Sequence, residues 1–161
     1  MWRREISSKP LEEVLTQRAT QVLDLARQKA IEDSRETASA DHIMQGLIRL
    51  NAGVGVHALR TMGVSLEELD QCIARSSNEE PTGTSQAAPF DSQAQEAIRL
   101  ARLEASELGH RYVGTEHLVL GLLRESQSAT AVKLHSLDID TPGLRRHIIG
   151  ALRGPRPEHW T

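Results

Sequence analysis

Apolar residues recur at steps of three and four along Ala19, Val22, Leu23, Ala26 and Ala30. That spacing lays them on a single stripe of one α-helix. The stripe returns later in the chain as Ala94, Ala97, Ile98, Ala101 and Ala105. A shift of 75 positions, Leu25 onto Leu100, aligns Thr16–Ala74 with Asp91–Ile149 without a gap. Leu25-Ala26-Arg27 falls on Leu100-Ala101-Arg102, His42 on His117, and Gly46-Leu47 on Gly121-Leu122. Glu32, Arg49, Leu59, Leu69 and Ile73 fall on Glu107, Arg124, Leu134, Leu144 and Ile148. A repeat of this kind is one helical unit used twice.

The same periodicity predicts three further helices in each unit. The second covers Ile43–Leu50 and Leu118–Glu125, the third lies near Val54–Met62 and Ala129–Leu137, and the fourth near Leu66–Arg75 and Pro142–Leu152. Ser65 is a fitting N-cap for the fourth helix of unit one, with Glu67 and Glu68 in its first turn. Asp140 or Thr141 serves in unit two, with Pro142 at a tolerated position. No stretch alternates as a strand does. The expectation is an all-α fold of about eight helices: two four-helix units about a pseudo-twofold axis. Residues 1–10 form an extension, 11–75 the first repeat, 76–90 a linker, 91–152 the second repeat and 153–161 a tail. The linker follows from Asn78, Pro81, Gly83, Ser85 and Pro89. A unit of about 60 residues buries little surface alone, so the two repeats are expected to pack as one domain.

Composition narrows the chemistry. Of 161 residues only 2% are aromatic, and the formal net charge is -3. The core therefore rests on aliphatic residues and Met, and nothing in the overall charge draws nucleic acid or an anionic membrane. A single cysteine, Cys72, excludes an internal disulfide or a cysteine zinc site, and its place in an amphipathic stretch reads as a small core residue. No apolar run reaches the ~18 residues of a membrane span and no signal core follows Met1, so a cytosolic protein is expected. No G-x-x-x-x-G-K-[ST] phosphate loop is present, and no nucleophile sits in a recognisable elbow. No enzyme activity, nucleotide hydrolysis included, and no cofactor are expected.

Glu107-Leu108-Gly109-His110 and Gly114-Thr115-Glu116-His117, with Leu118 to Glu125 behind them, carry a resemblance. The segment is similar to the signature of the Clp repeat in the N-terminal domains of Clp/Hsp100 protein unfoldases, and most resembles ClpC-type N-domains. The similarity runs from about Leu15 to Leu152. Unit one is the degenerate copy: Ser39-Ala40-Asp41-His42 replaces the second motif and Asp33-Ser34-Arg35 the Leu-Gly-His helix end. In the family this domain precedes two ATPase modules that are absent here. The start at Met1 and the unrelated tail from Pro155 favour a free-standing protein, like the chloroplast relatives that attach to the Clp protease core.

The resemblance implies a non-catalytic interaction module of the Clp protease and chaperone system. Its partners would be Clp ATPase or protease subunits, adaptors or substrate proteins. It also implies a ligand site. In ClpC-type N-domains the acid matching Glu116 contacts the guanidinium of phosphorylated arginine, and the neighbouring Thr and helix-start amides take the phosphate. Here those residues are Gly114, Thr115 and Glu116, with Asp41 as the shorter counterpart in unit one, so unit two is expected to bind better. A plain helix-dipole role for Glu116 stands beside that. His42 and His117 read as hydrogen-bonded structural residues rather than metal ligands, because positions 45, 46, 120 and 121 are Gln, Gly, Leu and Gly. Arg145, Arg146, His147 and Arg153 read as a solvated face of the last helix, with a nucleic-acid regulator as the alternative. Trp2 and Trp160 flank the domain without helical pattern.

Overall fold

A computed structural model describes Ile6, residues 8–76, Gly83, residues 87–124 and residues 129–153. Trp2, Trp160, most of the linker and the tail beyond Arg153 lie outside the described residues. The described chain is all-helical, with two isolated β-bridges as its only extended pairing. A short α1, Leu11–Val14, leads into α2, Gln17–Glu32, then α3, Ala40–Leu50, α4, Val54–Thr61, and α5, Leu66–Ser76. Unit two repeats the order as α6, Ser92–Glu107, α7, Thr115–Arg124, α8, Ala129–Ser136, and α9, Thr141–Arg153. Adding 75 to the bounds of α2 and α4 returns those of α6 and α8. The α1 turn was not foreshadowed by the apolar pattern.

Local chemistry explains the boundaries. Thr16 and Asp91, equivalent positions, accept the amides of Ala19 at 3.1 Å and Ala94 at 2.8 Å, which caps α2 and α6. Ser65 accepts from Glu68 N–H at 3.3 Å, and Asp140 from Gly143 N–H at 3.0 Å, so Asp140 rather than Thr141 caps α9. The long helices end alike. Gly109, at φ 80°, lets His110 N–H return to Ala105 O, and Ser34, at φ 57°, does the same for Arg35 N–H and Ala30 O.

Within each unit the first two helices cross closely. A Cβ on Gly46 would fall on the carbonyl oxygen of Val22, 3.2 Å from Ala26 N, and one on Gly121 would fall on that of Ala97, 2.7 Å from Ala101 N. The third helices behave differently. α4 packs on α7 of unit two, while α8 packs on α3 of unit one. α9 lies against α4, and α5 against α8. The bridges follow the same exchange: Leu15 pairs with Val113, and 75 positions on, Phe90 pairs with Ala38. One continuous apolar core results, running from Val22, Ile43 and Leu47 through Leu59 and Leu118 to Leu134, Leu144 and Ile148. Cys72 departs from expectation: it is half-exposed at the α5–α8 contact, with Sγ 3.9 Å from Ser136 Oγ. The exchanged α8 places a polar hydroxyl opposite it, so its position is a boundary and not core.

Candidate functional site

The exchange puts two equivalent helix starts, those of α3 and α7, at the seam between units. Each faces the third helix and the first-helix N-terminus of the other unit.

At the α7 start the side chains of Thr115, Glu116 and His117 are engaged inside the fold. Thr115, 3% exposed, accepts the N–H of Gly55 at 3.1 Å through Oγ1. Gly53, at φ 101° before α4, has no side chain to cap that helix, so Thr115 caps it from the opposite unit. Glu116, 3% exposed, folds back on Gly114; a Cβ on residue 114 would collide with its carboxylate. His117, fully buried, accepts Gly114 N–H at 2.9 Å on Nδ1 and meets His110 Nδ1 at 2.8 Å with Nε2. Glu116 Oε1 lies 3.2 Å from His117 Nδ1. Tyr112 stacks on His110 at 5.2 Å and stands edge-on to His117 at 5.3 Å.

At the α3 start the same backbone leaves an open, polar cavity of about 420 Å³. Ser39 and His42 form a capping box: His42 Nδ1 accepts Ser39 N–H at 3.0 Å, and its Nε2 lies 3.1 Å from Asp33 Oδ2. Lys29 Nζ reaches Asp33 Oδ1 at 2.6 Å. Asp41 receives Thr130 Oγ1 at 3.1 Å and the ammonium of Lys133, both from α8. Asp91 and Gln93, at the start of α6, close the far wall. The cavity is therefore built by both units. Of the four ligand candidates named from the sequence, Gly114, Thr115 and Glu116 lie together at the α7 start beneath α4, and Asp41 lines this cavity.

The cations and acids are also arranged differently in the two units. Glu104, 1% exposed, is held by Arg145 and by Arg124 Nη1 at 3.3 Å. Its equivalent in unit one is Lys29, and that of Arg145 is Asp70. The inverted pair does not form, because Lys29 turns to Asp33 and Asp70 takes Gln45 Nε2 at 3.5 Å. A second pair is common to both units. Arg49 grips Glu32 at 3.1 and 2.6 Å, and Arg124 grips Glu107 at 3.1 and 3.2 Å. The hydrogen bonds from Arg49 hold the Glu32 carboxyl below the usual range, and Arg49 itself is raised by the same contact. Arg145, read as solvated, is instead bound to a buried acid. Among the described residues no group of three or more His, Cys, Asp and Glu stands close enough to hold a metal ion. No helix of the described residues is long and apolar enough to cross a membrane.

Sequence reasoning missed Lys29, Arg35, Thr37, Gln45 and Lys133 as site residues. The signal was present in the alignment of the repeats. The unit-two counterparts of Asp33, Thr37 and Gln45 are Leu108, Tyr112 and Leu120, and that loss of polarity falls at positions that line the unit-one cavity.

The family described as the Clp repeat (R) N-terminal domain matches residues 14–137 and 89–156. Among proteins, the chain is 33% identical over 141 residues to the negative regulator of genetic competence ClpC/MecB of Bacillus subtilis, covering 85% of this chain and 17% of that protein. It is 33% identical over 141 residues to the chloroplastic chaperone ClpC of Pisum sativum, covering 85% of this chain and 15% of that one. The chain thus spans about a sixth of the length of these relatives. Among solved structures, the Hsp104 N-terminal domain of Candida albicans superposes with a TM-score of 0.74 at 14% identity, over 88% of this chain and 92% of that one. A complex of the ClpV N-domain with a VipB peptide gives 0.70 at 20% identity, over 87% and 89%.

Proposed function

The chain belongs to the Clp repeat N-terminal domain family, and from that premise we propose that it is a non-catalytic, cytosolic interaction module of a Clp-type ATPase system. It receives segments of substrate or adaptor proteins. The observation that carries this reading is the cavity at the start of α3, which is walled by both units and lined by paired but accessible charges. A fold neighbour, the ClpV N-domain, holds a peptide. Clp-type ATPase and protease subunits are the partners this reading names. The absence of a phosphate loop fits a domain that recruits and leaves the mechanical work to others. The test is a titration of the isotope-labelled chain with an unfolded, carboxymethylated model protein. Shifts should concentrate on Ser39–His42 and on α8. No shift, or shifts confined to α9, would remove the reading.

A phosphorylated arginine at Gly114, Thr115 and Glu116 would require Thr115 to release Gly55 and Glu116 to swing away from Gly114. Titration with phosphoarginine of the wild type, Glu116→Ala and Asp41→Ala ranks the two helix starts directly.

A further inference from the structure

A separate pocket of about 430 Å³ lies on the side of α6, lined by Gln95, Ile98, Arg99, Arg102 and Leu103. It shares no residue with the cavity at the α3 start. Ile98 is buried, Leu103 half-buried, and Gln95 and Arg99 exposed, so an apolar base sits under a polar rim. Arg99 is tied along its own helix to Glu96 at 2.6 and 2.8 Å. Arg102 reaches off the helix instead. Its Nη2 donates to the carbonyl oxygens of Ile6 at 2.5 Å and Lys9 at 2.6 Å. Ile6 itself is 2% exposed. The chain ahead of the first repeat is thus fastened onto the first helix of the second, and the matched family region begins only at residue 14.

The repeat shows what this place holds in the other copy. Arg102 corresponds to Arg27, whose guanidinium carbon lies 4.5 Å from the ring centroid of Phe90. A guanidinium over an aromatic face is a favourable pairing. The counterpart of Phe90 is Leu15, and among the described residues no ring stacks on Arg102. The chain has four aromatic residues: Trp2, Phe90, Tyr112 and Trp160. Phe90 lies under Arg27 and Tyr112 stacks on His110, which leaves the two indoles.

Reach selects between them. Trp2 stands four positions before Ile6, at most about 13 Å of extended chain at ~3.3 Å per residue. From Gln95 to Leu103 the pocket runs about 12 Å along α6 at ~1.5 Å per residue, and Arg102 in its wall already touches Ile6. Spacing of four also sets two side chains on one side of a helix, the side on which Ile6 is buried. Arg3 and Arg4 would meet like charge at Arg99 and Arg102, so the ring enters and the basic pair stays outside. So short a tether gives an effective concentration in the millimolar range, which a second copy in dilute solution does not match.

We propose that the α6 pocket is the seat of Trp2, whose indole packs on Ile98 and Leu103 against Arg102 and straps the segment before the first repeat across unit two. The proposal stands apart from the reading of the α3 cavity.

The test uses the full chain with isotope-labelled isoleucine and leucine methyl groups. The ring current of the indole should displace the Ile98 and Leu103 methyl signals, and Trp2→Ala should abolish that displacement, while Trp2→Phe should keep a smaller one. Arg102→Gln, which opens the clamp, should reduce it. Trp160→Ala and dilution should leave it unchanged. If Arg102→Gln fails to show a cooperative unfolding transition, the Trp2 variants decide alone. Methyl signals indifferent to Trp2→Ala, or to a folded Arg102→Gln, would overturn the proposal. So would a displacement that disappears in Trp160→Ala, which assigns the pocket to the other indole, or one that fades on dilution, which assigns it to a second copy.

Discussion

Where unit one carries Thr37, Gln45 and Ala74, unit two carries Tyr112, Leu120 and Ile149. Gln45 is 4% exposed and bonded to Asp70, whereas Leu120 is fully buried among apolar neighbours. Two copies of one backbone have thus been put to different uses. In unit two the region beside the second-helix start holds three rings and a doubly clamped acid, all partnered within the fold. In unit one the same region is polar, and its charged groups pair at the walls of an open cavity. A duplicated fold can concentrate rigidity in one copy and leave the other copy accessible.

The comparison breaks most sharply at the feature the copies share. Gly46→Ala and Gly121→Ala each drive a methyl into backbone of the neighbouring helix, so each should cost more than about 3 kcal/mol in urea unfolding. Unequal losses would show that one unit yields where the other does not. The next test uses the inverted pair. Glu104→Ala leaves two arginines facing a buried vacancy and should cost about 3 kcal/mol. Lys29→Ala, at the same place in unit one, removes a partly exposed pair and should cost less than about 1 kcal/mol. Similar losses would dissolve the distinction between a rigid and an accessible copy.

Much of this was legible in the chain. The helix pairs α2/α6 and α4/α8 obey the 75-residue shift residue for residue, because apolar spacing and caps are local properties. The first-turn positions of Asp41 and Glu116 were likewise readable. Which copy holds the cavity was not. Lys133 is 92 residues from Asp41, and Gly55 is 60 from Thr115. Pairings at that range depend on the exchange of the third helices, which no local pattern encodes. The resemblance pointed to the α7 start because its motif is the better preserved, yet a preserved motif can be spent on internal contacts. Cys72 misled for the same reason, since what faces it comes from α8.

Two smaller effects sharpen the comparison. Ser34 holds the left-handed turn that Gly109 holds in unit two, at φ 57° against 80°. Ser34→Gly should therefore raise stability by about 0.5–1 kcal/mol, while Gly109→Ser should lower it; thermal unfolding would check both. The smallest effect concerns pH. Arg49 holds the Glu32 carboxyl below its usual range. Its stabilisation is complete above the ordinary carboxyl value and is lost as pH falls through the depressed one. Arg49→Gln should flatten the acid end of the stability profile.

The exchange of third helices has a consequence for how the chain comes off the ribosome. When α4 has been made, the helix it rests on, α7, begins 61 positions after it, at Thr115 against Val54. Until then α4 has neither its apolar bed nor the hydroxyl that caps it. The first half must wait, partly assembled, for the second to be synthesised, and α8 then closes back onto helices made much earlier. Nascent chains halted before residue 115 are accordingly the ones most exposed to proteases and to pairing with a neighbour's second half.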